Sequence, residues 1–208
     1  MLLFLLFLMP LSLIFYMTYK KSDKTVSASI LGFMVSLVIV MFRGFFTFSH
    51  KIVYFSFWPN FLDLFLLQTL IPVAILYGVF FFVDHDDIDY KVKAYIPLTM
   101  SFYVIYLPYS VITSTDSMYS GFNIFIKPAL CSLMIFLTGL YIKNIFTCVA
   151  RKNKPLIFLN SFLLALAFAF PAAIEVFYLL ESGWFISLVM SGFYAALVLA
   201  SELFFRLK

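Results

Sequence analysis

Long stretches without a single Asp, Glu, Lys or Arg govern what this chain can become. They run over 1–19, 25–42, 64–83, 94–115, 155–174 and 182–201, each at least 18 residues long. A helix rises about 1.5 Å per residue, so roughly 20 apolar residues cross about 30 Å of hydrocarbon. A further run over 128–142 extends to Phe122 if Lys127 is admitted to the span. Continuous apolarity favours helices over a β-barrel, whose strands alternate in segments of about 10 residues. The expected fold is all-α: a polytopic bundle of seven transmembrane helices over 1–19, 25–43, 61–83, 94–114, 122–143, 155–179 and 183–204.

Composition closes off the alternatives. The chain is 64% hydrophobic and 12% charged, against roughly 45–50% and about 25% in soluble domains. Its 29 Phe and 13 Tyr are incompatible with a solvated, disordered chain. Connecting loops are short throughout, so the 208 residues read as one integral membrane domain. The expected surroundings are the lipid bilayer, with a membrane-protein partner or a second copy of the chain and a small polar solute as candidate ligands. No nucleic-acid partner and no cofactor is expected.

The basic residues orient the bundle. Lys20, Lys21 and Lys24 follow the first span, Lys91 and Lys93 the third. Lys143, Arg151, Lys152 and Lys154 follow the fifth, Arg206 and Lys208 the seventh. Only Arg43, Lys51 and Lys127 fall on the opposite side. Basic residues concentrate in cytoplasmic loops, which predicts an N-terminus outside and a cytoplasmic C-terminus, as an odd number of spans requires. The pattern fits a bacterial inner (cytoplasmic) membrane. Met1–Met17 carries no positive segment before its apolar run, so it reads as an uncleaved span and not as a signal peptide. Residues 44–62, rich in aromatics and containing His50, Lys51, Trp58 and Pro59, read as an outer loop at headgroup depth. A re-entrant segment is the alternative for that region.

Two small-residue stripes carry a packing expectation. Ser161, Ala165, Ala169 and Ala173 recur every four residues, as do Gly183, Ser187, Ser191 and Ala195. Small residues at that interval let helix backbones approach closely in lipid, so the sixth and seventh helices are expected to face each other through them. Pro72, Pro97, Pro108, Pro128 and Pro171 are expected to kink the helices that contain them.

Ionisable groups inside the spans are the candidate site. Arg43, Asp63, Lys127 and Glu175 come from four different helices and sit at similar depth, in the outer third. A charge at the bilayer centre costs about 2.5–3.5 kcal/mol on insertion scales, so such residues face the bundle or a wet cavity. Asp63, Lys127 and Glu175 are expected to line an outward-opening polar cavity, with Arg43 at its margin. The competing reading makes them ion-pair glue, with Lys127 snorkelling to the headgroups. Glu175 lies about 200° from Ala173 around the helix, pointing away from the small stripe, and Asn160 lies on the same side four turns deeper. Tyr103, Tyr106 and Tyr109 recur every three residues, with Ser110 and Thr113 nearby, and read as an aromatic belt at the outer interface, with a pathway lined by hydroxyls as the alternative.

Other chemistry is sparse. Asp84-His85-Asp86-Asp87-Ile88-Asp89 forms an acidic cytoplasmic loop without the glycine and spaced glutamate of a calcium loop. It reads as a solvated connection or a dock for a basic partner. His50 and His85 fall on opposite sides, and no HExxH, GxSxG, GxGxxG or Walker-type loop occurs. Cys131 and Cys148 are 17 residues apart on one helix, too distant for a disulfide. Three functions remain: a protein that binds or transports a small polar solute, a non-enzymatic subunit or scaffold of a larger membrane complex, and a lipid-modifying enzyme. The last would need Asp63 or Glu175 to work with His50.

Overall fold

A computed structural model describes residues 23–45, 56–83, 88–113, 121–180 and 184–206, and these are helical with no strand among them. Helix α1 spans Asp23–Phe45. Helix α2 spans Phe57–Val83 and contains a π-helical stretch, Asp63–Leu70. Helix α3 spans Ile88–Thr113, and α4 spans Phe122–Ala150, opening with a π-helical turn over Phe122–Ile126. Helices α5 and α6 span Lys154–Leu179 and Trp184–Arg206. Helices α1 to α5 are long and apolar enough to cross a membrane; α6 contains a shorter apolar stretch, Phe185–Ser201. The expected first span over 1–19, the acidic cluster at 84–87, His50 and Gly183 lie outside the described residues.

The loop expected over 44–62 is shorter than the sequence suggested. Helix α2 begins at Phe57, so the last six residues of that segment are its opening turns. Pro59 sits in the first turn, where no backbone N–H is needed and the fixed φ favours the helix. Asn60 donates to the Ser56 carbonyl (2.9 Å), and Phe57 stacks on Phe61 and meets Phe177 of α5.

Helices α3 and α4 form the centre. The apolar window of α3 is 67% buried and that of α4 56%, against 22–28% for α1, α2 and α5. Helix α3 runs parallel to α1: Ser27 pairs with Tyr90, Gly32 lies on Leu98, and Arg43 reaches Tyr106. The contact is close because Ala28, Gly32 and Ser36, one every four residues, are all buried on it. A Cβ at Gly32 would stand 2.2 Å from the Leu98 carbonyl oxygen. Across α3, the Tyr95 hydroxyl meets Thr138 of α4 (2.9 Å), and Gly139 lies against Ile96.

The α1–α3 seam is a tight backbone contact, whereas the small stripes of the last two helices do not meet in that way. Ser161 and Ala165 are exposed, and Ala169 and Ala173 are half-buried. Ser187 is buried, but Ser191 bonds back to its own helix at the Ser187 carbonyl. Helices α5 and α6 meet instead through Tyr194, whose ring stacks on Phe170 and whose hydroxyl donates to the Ala167 carbonyl (2.9 Å). A small stripe permits approach but does not choose the partner, and here a large aromatic fills the gap.

Two proline sites have neighbours that repair the backbone. Pro171 has no N–H for the carbonyl four residues earlier, which is Ala167, the one Tyr194 bonds. In α2 the Ile71 N–H bonds Leu66 at π spacing. The next bond in that register would fall on Leu67 from residue 72, which is proline. Arg43 supplies it, donating from Nη2 to the Leu67 carbonyl (2.9 Å).

Candidate functional site

Helices α2, α3, α4 and α5 leave a cavity between them at the Arg43 end of the bundle. Its volume is about 50 Å³, room for a few waters or a solute of a few heavy atoms. That is far below the roughly 300–1,000 Å³ of pockets for drug-sized ligands. Gln68 and Thr69 of α2, Tyr103, Tyr106 and Ser110 of α3, Lys127 and Cys131 of α4, and Glu175 of α5 contribute its polar and thiol side chains.

Both π-helical stretches border this cavity. Such segments are rare and recur at functional sites. The first contributes Leu64, Gln68 and Thr69; the second contributes Phe122 and leads directly into Lys127. Their five-residue spacing also builds local bonds. Gln68 Nε2 donates to Asp63 Oδ2 (3.1 Å), Thr69 Oγ1 donates to the Leu64 carbonyl (2.9 Å), and the Lys127 N–H bonds the Phe122 carbonyl.

The four charged candidates divide into two that line the cavity and two that brace it. Lys127 Nζ donates to Glu175 Oε1 at 2.5 Å, and their side chains are 12% and 17% exposed. The pair joins α4 to α5 at the cavity wall. Asp63 is not among the lining residues; its carboxylate holds Gln68, which is. Arg43 also stands behind the wall, donating from Nη1 to the Tyr106 hydroxyl (2.5 Å), with its guanidinium 5.6 Å from that ring's centre. Asn160 is buried and donates to the Leu156 carbonyl of its own helix.

The tyrosine stripe is corrected. Tyr103 and Tyr106 are not an interfacial belt: they are 4% and 1% exposed and face the cavity, and only Tyr109 of the three is half-buried. Phe102, Tyr103 and Tyr106 pack ring against ring on α3. Helix position alone cannot separate a belt from a lining, because both put tyrosine near the end of a span. Gln68 and Cys131 were also not read as site residues. The signal for Cys131 was its place one helical turn from Lys127, which puts both on one face.

The wall keeps hydrogen-bonding capacity of both kinds, with acceptor lone pairs on the Glu175 carboxylate and the Gln68 amide oxygen and donors on Lys127, Gln68 and the tyrosines. The Tyr103 hydroxyl is buried without a partner among the described residues. The Tyr106 oxygen already accepts from Arg43, so its own proton is what it has left to give. Lys127 has one of three protons engaged by Glu175, and Gln68 has one of its two amide protons on Asp63. Among the described residues no group of three His, Cys, Asp or Glu side chains gathers to hold a metal ion. Comparison with known families, characterised proteins and solved structures finds no match to this chain.

Proposed function

We propose that this is a seven-span integral membrane protein that binds or moves a small polar solute through the charged cavity between α2 and α5, on the outer side of a bacterial cytoplasmic membrane. The supporting observation is the inverted distribution of polarity. Large apolar side chains cover the outside, among them Val38 at 66% exposure, Phe158 at 78% and Phe185 at 68%, while Lys127 and Glu175 are largely withdrawn from it. Water does not tolerate such a surface as a continuous patch, whereas lipid does. Inside lipid, ionisable side chains are costly and rare, and where they gather around an interior cavity they commonly mark a solute or ion pathway.

The outer placement rests on the basic residues. With the N-terminus outside, Lys91, Lys93, Lys143 and Arg151–Lys154 fall on the cytoplasmic side, and the cavity opens opposite them. A reporter fused after Lys208 should be accessible to a soluble protease only after the membrane is permeabilised. Accessibility in intact cells would reverse the orientation.

The cavity itself is tested by purifying the full chain from its native membrane in gentle detergent and identifying what remains bound by mass spectrometry. The wild type should retain a small polar molecule, and Lys127→Ala should lose it while staying monodisperse. A stoichiometric protein partner with no retained solute would favour the alternative reading, a non-enzymatic subunit of a larger complex.

A further inference from the structure

Resting on that reading, we propose that the solute is a small monovalent anion, held between the Lys127 ammonium and the hydroxyls of Tyr103 and Tyr106, with the Glu175 carboxylate as internal competitor for the same ammonium. The argument is the direction of the hydrogen bonds. Arg43 donates to the Tyr106 oxygen, which leaves that hydroxyl its proton to give beside the cavity it lines. Tyr103, one helical turn away on the same helix, is buried and has no partner for its hydroxyl among the described residues. Gln68 is held by Asp63 through its amide nitrogen and keeps one N–H.

Three elements thus bring donor groups to one small space, and the ammonium beside it keeps two protons beyond the one on Glu175. A cationic solute would have to share the Glu175 carboxylate with Lys127 and lie beside that ammonium. An anion finds a charge-assisted donor and neutral hydroxyls, the stronger class of hydrogen bond. The cavity, about 50 Å³, restricts it to a few heavy atoms, the scale of formate, nitrate or chloride.

Competition gives the inference a sign. The anion must draw Lys127 from Glu175, so removing the carboxylate's charge should strengthen binding even though it weakens the fold. Calorimetric titration of the full chain in detergent with sodium formate, sodium nitrate, sodium chloride, methylammonium and glycine reads this directly. Formate, nitrate or chloride should bind the wild type, and Glu175→Gln should bind the same anion about tenfold or more tightly. The anion should also raise the melting temperature of Glu175→Gln more than that of the wild type. Tyr103→Phe deletes a hydroxyl that no other described residue uses, so it should fold normally and bind the anion about tenfold more weakly.

Weaker anion binding by Glu175→Gln, or unchanged affinity in Tyr103→Phe, would overturn the proposal. Binding of methylammonium or glycine with no anion binding would overturn it while leaving the cavity reading standing. If none of the five solutes binds the wild type, the anion proposal fails, and a molecule of another kind retained in native purification would still support the cavity. Among the anions, preference for formate over nitrate and chloride would identify a carboxylate as the natural class, and the reverse an inorganic anion.

Discussion

Replacing Gly32 by alanine should lower the melting temperature of the purified protein, whereas the same exchange at Gly192 should leave it unchanged or raise it. Glycine inside a helix is less favourable than alanine by roughly 0.5–1 kcal/mol, so the default expectation for Gly→Ala is stabilisation. That holds at Gly192, where a Cβ would meet nothing within 4 Å. At Gly32 the new carbon would stand 2.2 Å from the Leu98 carbonyl oxygen and 2.5 Å from Ser101 Oγ. A side chain could turn aside, but a backbone carbonyl in the middle of α3 cannot without moving the helix. Overpacking of this kind costs about 1–3 kcal/mol, enough to reverse the gain in helix propensity. Gly139 should fall between the two, because its near neighbours are side-chain carbons, Ile96 Cγ1 at 2.8 Å and Cδ1 at 3.0 Å, which can shift more readily than a backbone carbonyl. Gly32→Leu should be more damaging than Gly32→Ala, since the added branch has to force α1 off α3. Intrinsic fluorescence during heating ranks the variants. A Gly32→Ala protein that melts at or above the wild type would mean the two helices do not touch there.

That seam also shows where the sequence was informative and where it was not. The described helices overlap the uncharged runs because the thickness of a hydrocarbon layer imposes a length, and length is written directly into the chain. Partner choice is not written that way. Ala28, Gly32 and Ser36 form a four-residue small stripe as regular as Ser161–Ala173, yet the first is buried against α3 while half of the second is exposed. The difference lies in what the opposite helix offers: at Leu98 a bare backbone, at Tyr194 a ring that needs room. The charged candidates were visible because ionisable groups in apolar runs are few. Their division into lining and bracing residues was not, since it depends on two π-helical stretches that change the facing of Asp63, Gln68 and Lys127. Nothing in the periodicity announces an inserted residue in a helical turn. The tyrosine stripe admits both belt and lining in the sequence, and the choice, like the partners of Arg43, depends on contacts between helices distant in sequence.

Lys127→Gln and Glu175→Gln should each destabilise the protein by about 2–3 kcal/mol, and the double variant should lose less than either. Each side chain retains some contact with the outside, 12% and 17%, which puts the pair below the 3–5 kcal/mol typical of breaking a fully buried pair. Each single variant leaves a lone charge in a cavity walled mainly by hydroxyls and apolar groups, close to the cost of a charge in hydrocarbon. Removing both charges removes that penalty and sacrifices only their mutual attraction. Additive losses in the double variant, measured by denaturant or thermal unfolding, would mean the two groups do not interact. The reversed pair, Lys127→Glu with Glu175→Lys, then separates structure from function. It keeps an ion pair between α4 and α5, so stability should return close to the wild type. It also moves the ammonium from α4 to α5, away from its register with the hydroxyls of Tyr103 and Tyr106, so retention of a solute should not return. If Lys127 and Glu175 serve only to hold two helices together, the reversed protein should be indistinguishable from the wild type in both measurements. Recovery of stability without recovery of binding is what a site built around the position of one ammonium requires.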